Sequence, residues 1–515
     1  MRREAFVLAA VVLGATAVAA PSVWAQAPVA VPPATAAAAG AGVRPDADPR
    51  IQALVAAVSV DRMKTLDTTL VGFGTRNTLS GTASTTRGIG AARQWILDEL
   101  KRSSAKLQVS FDTYQIAQQG RITRPVELRN VMAVLPGRTP RRIYVSGHYD
   151  SLNLGSGGQL ASATRAPGAG TAGAAATAGA AGANGAAGAA AAGAGGTAGP
   201  GGAGGANAAP ADPLQRPGID YDLDAPGAND DGSGTVLTME LARVFAESGL
   251  EFDATLVFIC WAGEEQGLIG SAAHAQRIAA EKVPVEAMIS NDIVGNSRGG
   301  TGIIDAASVR LYAVGPEDSP ARALARYIVS ASATYVPSHR VRPMAREDRF
   351  GRGSDQSSFT QQGYPAVVFR EANENFDRQH SARDTLDGVD FGYLAQNARV
   401  NAAAVASLAL APAAPVVTTE RGAARIGRDP SGYDAALRWA ASPGAVGYRI
   451  YWRETWRIDW QHARTVGAVT DVVLPGVSID DWVFGVAAIG AGGHESLVSA
   501  YVSPNRPGRP IELVK

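Results

Sequence analysis

The stretch ATLVFICWAGEEQG, residues 254–267, decides the fold that the sequence predicts. Its first eight residues form a continuous apolar run, which is typical of a strand buried on both faces of a parallel sheet. Around it, further apolar runs alternate with stretches whose apolar residues recur at helical spacing. The strand-like runs cover residues 141–147, 285–290, 309–314 and 365–369, and the helical stretches cover residues 235–248 and 319–332. This alternation predicts an α/β fold with a mostly parallel sheet flanked by helices.

The chain changes character near residue 412. Short β-rich runs with tryptophan and tyrosine follow, including ALRWA at 436–440, GYRIYWRETW at 447–456 and DWVFGVAAIG at 481–490. Several short strands separated by proline and glycine predict a small all-β sandwich over residues 412–508. These runs resemble a fibronectin type III module, and we expect their aromatic side chains to form its core.

Three segments are predicted to lie outside the folded domains. Residues 1–25 begin with two arginines after the methionine, continue as an apolar run and end in small residues, which is typical of a cleaved signal peptide. The leader at 26–45 and the insertion at 156–212 are rich in alanine and glycine or proline. They have little apolar surface to bury, so we expect both to be flexible. The signal peptide predicts a secreted or periplasmic protein.

Composition excludes several kinds of partner. The 515 residues include 47 Lys and Arg and 47 Asp and Glu, so the formal net charge is +0. This balance gives no positive field for nucleic acid, and no segment after the N-terminal run is apolar enough to span a bilayer. We therefore expect neither nucleic-acid binding nor stable membrane insertion. Cys260 is the only cysteine, so the sequence predicts no disulfide framework.

Acidic and imidazole side chains follow the ends of the predicted strands. They are His148 and Asp150, Asp230 in APGANDDGSG at 225–234, Glu264 and Glu265, Asp292, and His380. In an open α/β sheet, functional residues gather beyond the carboxyl ends of the strands. Histidine nitrogens and carboxylate oxygens are ligands that Zn²⁺ accepts, and a pair of metals needs one carboxylate to bridge them.

The spacing suggests a division of roles within this set. Asp230 lies in a tight turn flanked by glycine and is the natural bridge between two metals. Glu264 and Glu265 are adjacent loop residues that point different ways, so one can bind metal while the other acts as general base. Asp150 is expected to hold the second ring nitrogen of His148 and so fix its tautomer. The remaining histidines are expected to be surface or packing residues without such partners.

Five stretches carry a family resemblance. SGHYDS, APGANDDGSG, WAGEEQGLIGS, SNDIVG and RQHSARDTLD resemble the dizinc metallopeptidases that include bacterial leucyl aminopeptidases, peptidase family M28. The resemblance covers about residues 48–410 and implies a zinc-dependent exopeptidase domain at 46–411. The activity it implies is that of an exported aminopeptidase with two Zn²⁺ per chain, which acts on peptides with a free N-terminus.

The resemblance also implies a role for each candidate residue. One zinc is bound by His148 and Asp292, the other by Glu265 and His380, and Asp230 bridges both. Glu264 stands at the position of the general base, and Asp150 at that of the partner of the first histidine. The peptide bond between Asp230 and Asp231 is expected to be cis.

Two departures and two alternatives accompany this interpretation. The first histidine and the bridging aspartate are 230 − 148 = 82 positions apart because of the insertion, which we expect to loop out without displacing Asp230. Gln356 stands where relatives commonly have histidine. A glutaminyl cyclase with a single zinc is the alternative enzyme. A non-catalytic binding or adhesion protein on a peptidase scaffold is the alternative outside enzymes, and retention of Glu264 speaks against it.

Overall fold

The computed structural model describes residues 47–155, 221–430 and 432–502. The predicted signal peptide at 1–25, the leader at 26–45 and the insertion at 156–212 lie outside these residues. The helices are α1 (Pro49–Ala56), α2 (Val60–Gly72), α3 (Gly88–Ser103), α4 (Gly234–Glu247), α5 (Ile269–Ala280), α6 (Pro320–Tyr335), α7 (Gln356–Thr360) and α8 (Phe391–Ala409). The strands of the first part are β1 (Gln108–Ile116), β2 (Val126–Leu135), β3 (Thr139–His148), β4 (Ala254–Trp261), β5 (Val285–Asn291), β6 (Ser308–Tyr312), β7 (Arg340–Met344) and β8 (Ala366–Glu371).

These eight strands form one mixed sheet in the order β1-β2-β4-β3-β5-β8-β6-β7. The four central strands, β4, β3, β5 and β8, run parallel to one another, whereas β1, β2 and β6 pair antiparallel with their inner neighbours. Every residue of β5 and β8 is buried, and β4 is buried except at one half-exposed position. The predicted α/β class with a large, mostly parallel sheet flanked by helices is confirmed.

Amphipathic helices cover the sheet because their apolar faces have no other place to be buried. In α4, Leu237, Leu241 and Phe245 are at most 1% exposed and belong to the same core as the strands. Helix α6 begins where Ser319 caps it: the hydroxyl of Ser319 accepts from the backbone N–H of Arg322. Helix α4 begins and ends within one residue of the predicted stretch, and α6 within three residues.

The edge strand β1 and its neighbour β2 were not predicted as strands. In β1 no residue is fully buried, and in β2 buried and half-exposed positions alternate. An edge or partly solvated strand of this kind mixes polar and apolar residues, so it lacks the continuous apolar run by which the central strands were recognised.

The C-terminal part forms two antiparallel sheets. Its strands are β9 (Ile426–Arg428), β10 (Asp434–Arg438), β11 (Ala445–Glu454), β12 (His462–Val466), β13 (Asp471–Ser478), β14 (Trp482–Gly490) and β15 (Ser499–Ala500). One sheet has the order β13-β10-β9 and the other β12-β11-β14-β15. Between them lies a separate core in which Trp439 packs on Tyr448, with ring centroids 5.2 Å apart, beside Phe484. Trp439, Tyr448 and Phe484 therefore form core, as predicted, whereas Trp456 of the same predicted runs is 72% exposed.

Charged contacts join the C-terminal sheets to the α/β part. His494 Nε2 lies 3.0 Å from a carboxylate oxygen of Asp48, next to α1. Arg453 pairs with Asp318, just before α6, and its guanidinium also stacks over Trp460. In the portion of the chain that the structure describes, no helix has both the length and the apolar character needed to cross a bilayer.

Candidate metal centre

Four neighbouring strands bring the candidate ligands to one edge of the sheet. Because β4, β3, β5 and β8 are adjacent and parallel, their carboxyl ends lie together. His148 is the last residue of β3, and Asp292 directly follows β5. The loop after β4 carries Glu264 and Glu265, and the loop after β8 carries His380. Topology alone therefore gathers residues that lie far apart in sequence.

Asp230 reaches the same place from a turn in front of α4. The segment Ala228–Ser233 forms a kinked turn whose residues are all buried and whose backbone is not helical at Asp230 and Asp231. The peptide bond between Asp230 and Asp231 is cis, as the family resemblance implied. The carboxylate of Asp384 fixes the turn from outside, since it accepts hydrogen bonds from the backbone N–H groups of Asn229 at 3.1 Å and Asp230 at 2.9 Å.

Glycine is required at both ends of this turn because the backbone packs against its surroundings. Gly227 has φ +53°, in the left-handed region that favours glycine. At Gly234 a Cβ atom would lie only 1.9 Å from the carbonyl oxygen of Asn291. The glycines of APGANDDGSG therefore have a steric role in placing Asp230.

Asp230 directs its two carboxylate oxygens at two different histidines. Oδ1 lies 3.4 Å from Nε2 of His148, and Oδ2 lies 3.1 Å from Nε2 of His380. Oδ1 of Asp292 is 3.9 Å from the same nitrogen of His148, and Oε2 of Glu265 is 3.2 Å from that of His380. Two groups of candidate ligands thus share Asp230, and the structure brings together the residues that the family resemblance implied. The long insertion has not displaced Asp230.

The charge of this cluster favours cations. Burial lowers the pKa of His148, but Glu264 and the other carboxylates around it raise the pKa well above its usual value. The same holds for His380. Burial lowers its pKa, but Glu265 and Asp230 have the larger effect and raise the pKa well above its usual value. Burial raises the pKa of Asp230, yet contact with the two imidazoles brings it well below the ordinary range. The carboxylates therefore stabilise positive charge at this position.

The donor set fits zinc. Nε2 of His148 and Oε1 of Glu265 are buried, and within the described residues neither has a hydrogen-bond partner. A buried polar atom without a partner costs free energy of folding unless a ligand or a metal ion contacts it. In each set, one ligand atom per residue lies within 4.8 Å of the others. Imidazole nitrogen combined with carboxylate oxygen is a ligand set that Zn²⁺ accepts.

Glu264 lies beside the ligands and is accessible from outside. Its Oε2 is 3.9 Å from Nε2 of His148, and its side chain is 12% exposed. It lines a cavity of about 300 Å³ that opens over the cluster. Burial, partly offset by His148, raises the pKa of Glu264 well above its usual value. A carboxyl group with a raised pKa in a cleft has the character of a group that exchanges protons.

Asp150 acts differently from what the sequence predicted. The ring nitrogen Nδ1 of His148 lies 3.0 Å from the backbone carbonyl oxygen of Asp150, whereas the nearest carboxylate oxygen of Asp150 is 3.6 Å away. That carboxylate instead accepts from the backbone N–H groups of Glu264 and Glu265, both at 3.2 Å. The expected hydrogen bond to the ring is made by the main chain, and the side chain positions the Glu264–Glu265 loop.

Two further buried residues position the ligands and were missed from the sequence. Asp231 accepts from the backbone N–H of His148 at 3.0 Å and of Ile293 at 3.3 Å, so one side chain ties two ligand segments together. Arg370, in β8, contacts the carboxylate of Asp292 and donates to its backbone carbonyl oxygen at 2.9 Å. Asp231 adjoins a predicted ligand, which was a usable signal. Arg370 follows an apolar run within a strand, and nothing in the local sequence indicates that it positions a ligand.

The other histidines lie outside the metal cluster, but the expectation that they lack carboxylate partners was wrong. His274 is fully buried, and its Nδ1 is 2.9 Å from Asp112. His494 pairs with Asp48, as described above. His339 and His462 are packing residues: the first contacts Asn397 and the second stacks on Trp452.

Gln356, the departure noted in the sequence, does not line the metal cavity. It is buried at the start of α7, and its side-chain amide donates to the backbone carbonyl oxygen of Glu347 at 3.1 Å. The substitution therefore leaves the ligand sets intact.

A cavity at the carboxyl edge of an α/β sheet, with two histidines and three carboxylates in two linked sets, is the arrangement of a metal-binding site in a cleft. The model of peptidase family M28 matches residues 212–405. A probable zinc metalloprotease of Pyricularia oryzae is 35% identical over 493 residues, which cover 88% of this chain and 84% of that protein. The chain belongs to peptidase family M28 and is a zinc metallopeptidase.

Solved structures show a similar fold at low identity. The LapA aminopeptidase of Legionella pneumophila is 18% identical, with a TM-score of 0.47 over 71% of this chain and 75% of that one. A glutaminyl cyclase of Porphyromonas gingivalis is 14% identical, with a TM-score of 0.46 over 68% of this chain and 98% of that one.

Proposed function

We propose that this zinc metallopeptidase is an exported aminopeptidase that uses two zinc ions. The observation that best supports two metals is that the two carboxylate oxygens of Asp230 face two different histidines, 3.4 Å and 3.1 Å away. A carboxylate that serves one metal needs only one of its oxygens, whereas a bridge presents both. His148 and Asp292 would hold one zinc, and Glu265 and His380 the other.

The reaction is hydrolysis of a peptide bond. When bound, the zinc pair supplies Lewis-acid chemistry, which lowers the pKa of a water molecule and polarises the scissile carbonyl group. Glu264 takes a proton from the attacking water, the new C–O bond forms, and Glu264 returns the proton to the nitrogen as the C–N bond breaks. Its place at the open side of the cluster supports this role. Asp150 keeps Glu264 in position through the backbone contacts described above.

The family resemblance implies that a cationic group of the substrate binds near the metal pair and the carboxylates that line the cavity, although Arg121, Arg349 and Arg352 line it as well. A free α-amine at a substrate's N-terminus offers this charge, and a blocked N-terminus does not. We therefore propose peptides with a free N-terminus as substrates. The predicted signal peptide supports export to the periplasm or medium. Two antiparallel sheets of three and four strands support the fibronectin type III interpretation of residues 412–508, as a module that positions the peptidase.

Two other functions make different predictions. A glutaminyl cyclase would bind one zinc and would release ammonia from an N-terminal glutamine without hydrolysing a peptide bond. A non-catalytic binding protein would show no turnover. The two complete ligand sets and the accessible Glu264 support the peptidase over both.

The test is an assay of the purified protein on peptides with free and with acetylated N-termini, before and after removal of metal with a chelator. We expect hydrolysis of the free peptides only, loss of activity with the chelator, and recovery with zinc. Glu264→Gln should lower kcat by at least about a hundredfold while zinc content stays constant. Equal hydrolysis of acetylated peptides would refute the aminopeptidase, and ammonia release from an N-terminal glutamine would favour the cyclase.

A further inference from the structure

A second cavity, of about 410 Å³, adjoins the cavity over the metal cluster. Arg349 and Arg352 line both, so the two spaces meet at these side chains. Phe350 and Phe376 form part of the wall of the second cavity, and both are largely exposed. A substrate held at the metal cluster therefore has room to extend into this second cavity.

Three guanidinium groups in the wall converge on one carboxylate. Arg310 binds Oε1 of Glu374 at 2.6 Å, while Arg349 binds Oε2 at 2.7 Å and Arg352 approaches the same oxygen at 3.5 Å. The carboxylate of Glu374 is almost fully buried, with 3% of its side chain exposed. One carboxylate cannot neutralise three cations.

The other carboxylates that form ion pairs with the arginines of this cluster do not remove this excess. Asp348 is shared between Arg349 at 3.2 Å and Arg370 at 2.7 Å. The second anionic contact of Arg370 is Asp292, a candidate zinc ligand whose charge the metal would use. Among the described ion pairs, four arginines thus face two carboxylates outside the ligand set, an excess of 4 − 2 = 2 positive charges.

Arg352 is the cation of this group best placed to bind a ligand. Its contacts within the protein are long, 3.5 Å to Glu374 and 3.3 Å to the side-chain oxygen of Gln379. Its side chain is 32% exposed, compared with 9% for Arg349. Its guanidinium lies 5.6 Å from the ring centroid of Phe376. An anion in the cavity can therefore engage Arg352 without breaking a short hydrogen bond.

We propose that the second cavity is a substrate subsite for a carboxylate and that Arg352 selects this group. The guanidinium fork matches a carboxylate in two parallel hydrogen bonds. Phe350 and Phe376 cover the apolar stem that joins the carboxylate to the peptide. The proposal rests on the proposed peptidase function, since it concerns a group on the peptide being hydrolysed. The carboxylate belongs either to a glutamate or aspartate side chain or to the C-terminus of a short peptide.

Hydrolysis of a matched substrate panel tests the proposal. The panel has dipeptide amides with glutamate in the first or second position, their glutamine counterparts, and one glutamine-containing dipeptide with a free C-terminus. We expect at least one carboxylate substrate to exceed its neutral counterpart in kcat/KM by about tenfold, which corresponds to 1.4 kcal/mol. The substrate that shows the preference identifies whether the recognised carboxylate is a side chain or the C-terminus, and at which position of the peptide it lies.

Variants of Arg352 identify the group responsible. Arg352→Gln should bring the ratio between the charged and the neutral substrate close to one, and Arg352→Lys should retain part of it because the charge remains. This ratio is independent of any general loss of activity in the variant. Arg421→Gln is the control: it removes an equal charge from an exposed residue of the C-terminal part that lines neither cavity, and the ratio should stay as in the wild type.

A binding measurement gives a result even without hydrolysis. N-acetylglutamate α-amide, N-acetylglutamine and N-acetylglutamine amide carry a side-chain carboxylate, a terminal carboxylate and no carboxylate, and calorimetry with zinc-loaded protein compares them. At least one carboxylate probe should bind about tenfold more tightly than the diamide, and Arg352→Gln should remove the difference. Equal binding of all three, or a preference unchanged in Arg352→Gln, overturns the subsite. Absence of hydrolysis on every substrate with Arg352-dependent probe binding instead refutes the peptidase function alone.

Discussion

Replacement of Asp231 by asparagine should separate the ligand-positioning network from the ligands themselves. The side chain is fully buried and touches no candidate zinc position in the two ligand sets. One of its oxygens accepts from the N–H of His148 at 3.0 Å. The other accepts from the N–H groups of Gly234 at 2.8 Å and Ile293 at 3.3 Å. Asparagine has the same shape but only one acceptor oxygen.

The stability that Asp231→Asn loses follows from the hydrogen bonds that asparagine can still accept at this position. The more favourable orientation of asparagine keeps the two N–H groups satisfied and turns its amide nitrogen toward the N–H of His148. That leaves one buried backbone donor without a partner, because the hydrogen bond from the N–H of His148 is lost. This loss should cost about 3 kcal/mol. Because His148 ends β3 and carries a ligand nitrogen, we also expect zinc affinity to fall by about 10- to 100-fold.

Zinc affinity is measured by competition with a chelator, and stability by denaturant unfolding of the metal-free protein. Asp471→Asn, at an exposed position of β13, is the matched control and should change neither quantity. Zinc affinity of Asp231→Asn within twofold of the wild type would refute the positioning role of this side chain.

Two further predictions concern the folded scaffold. Gly234→Ala places a Cβ atom 1.9 Å from the carbonyl oxygen of Asn291, so the denaturation midpoint should fall, whereas Gly72→Ala, with open space around it, should leave the midpoint unchanged or higher. Although burial opposes it, Arg349 and its neighbours hold the pKa of Glu374 at about 2, below its ordinary 4.5. The ionised group therefore stabilises the fold above pH 4.5, and about 3 kcal/mol of stability is lost as the pH falls toward 2. The stability difference between the wild type and Glu374→Gln should narrow between pH 5 and pH 3, and a constant difference would contradict this assignment.

The central strands were predictable because their burial leaves a direct trace in the sequence. Strands β4, β5 and β8 are buried along nearly their whole length, so each contains a run of mainly apolar residues. The edge strand β7 contains two arginines and a proline in five residues, and no local pattern identifies it. Its place is set by parallel pairing with β6, a contact between residues about thirty positions apart.

The ligands were predictable for a related reason. Residues such as Asp292 directly follow a recognisable strand, and the parallel order of the strands brings their ends together. Arg370 and Asp384 were not predictable, because their roles arise from contacts across 78 and 154 positions of sequence. The role of Asp150 was predicted incompletely, since local sequence does not show whether a carboxylate or its own backbone carbonyl group will reach a neighbouring ring. Arg352 was missed because an unbalanced charge becomes visible only when its partners are located in space.

The central claim is that two linked ligand sets bind two zinc ions, and metal analysis of the purified protein tests it most directly. Mass-spectrometric elemental analysis should find two zinc ions per chain in the wild type. In His380→Ala, which removes a ligand of one set and leaves His148 and Asp292 in place, we expect about one. A wild-type content of one zinc per chain, or a content of two that His380→Ala leaves unchanged, would contradict the account.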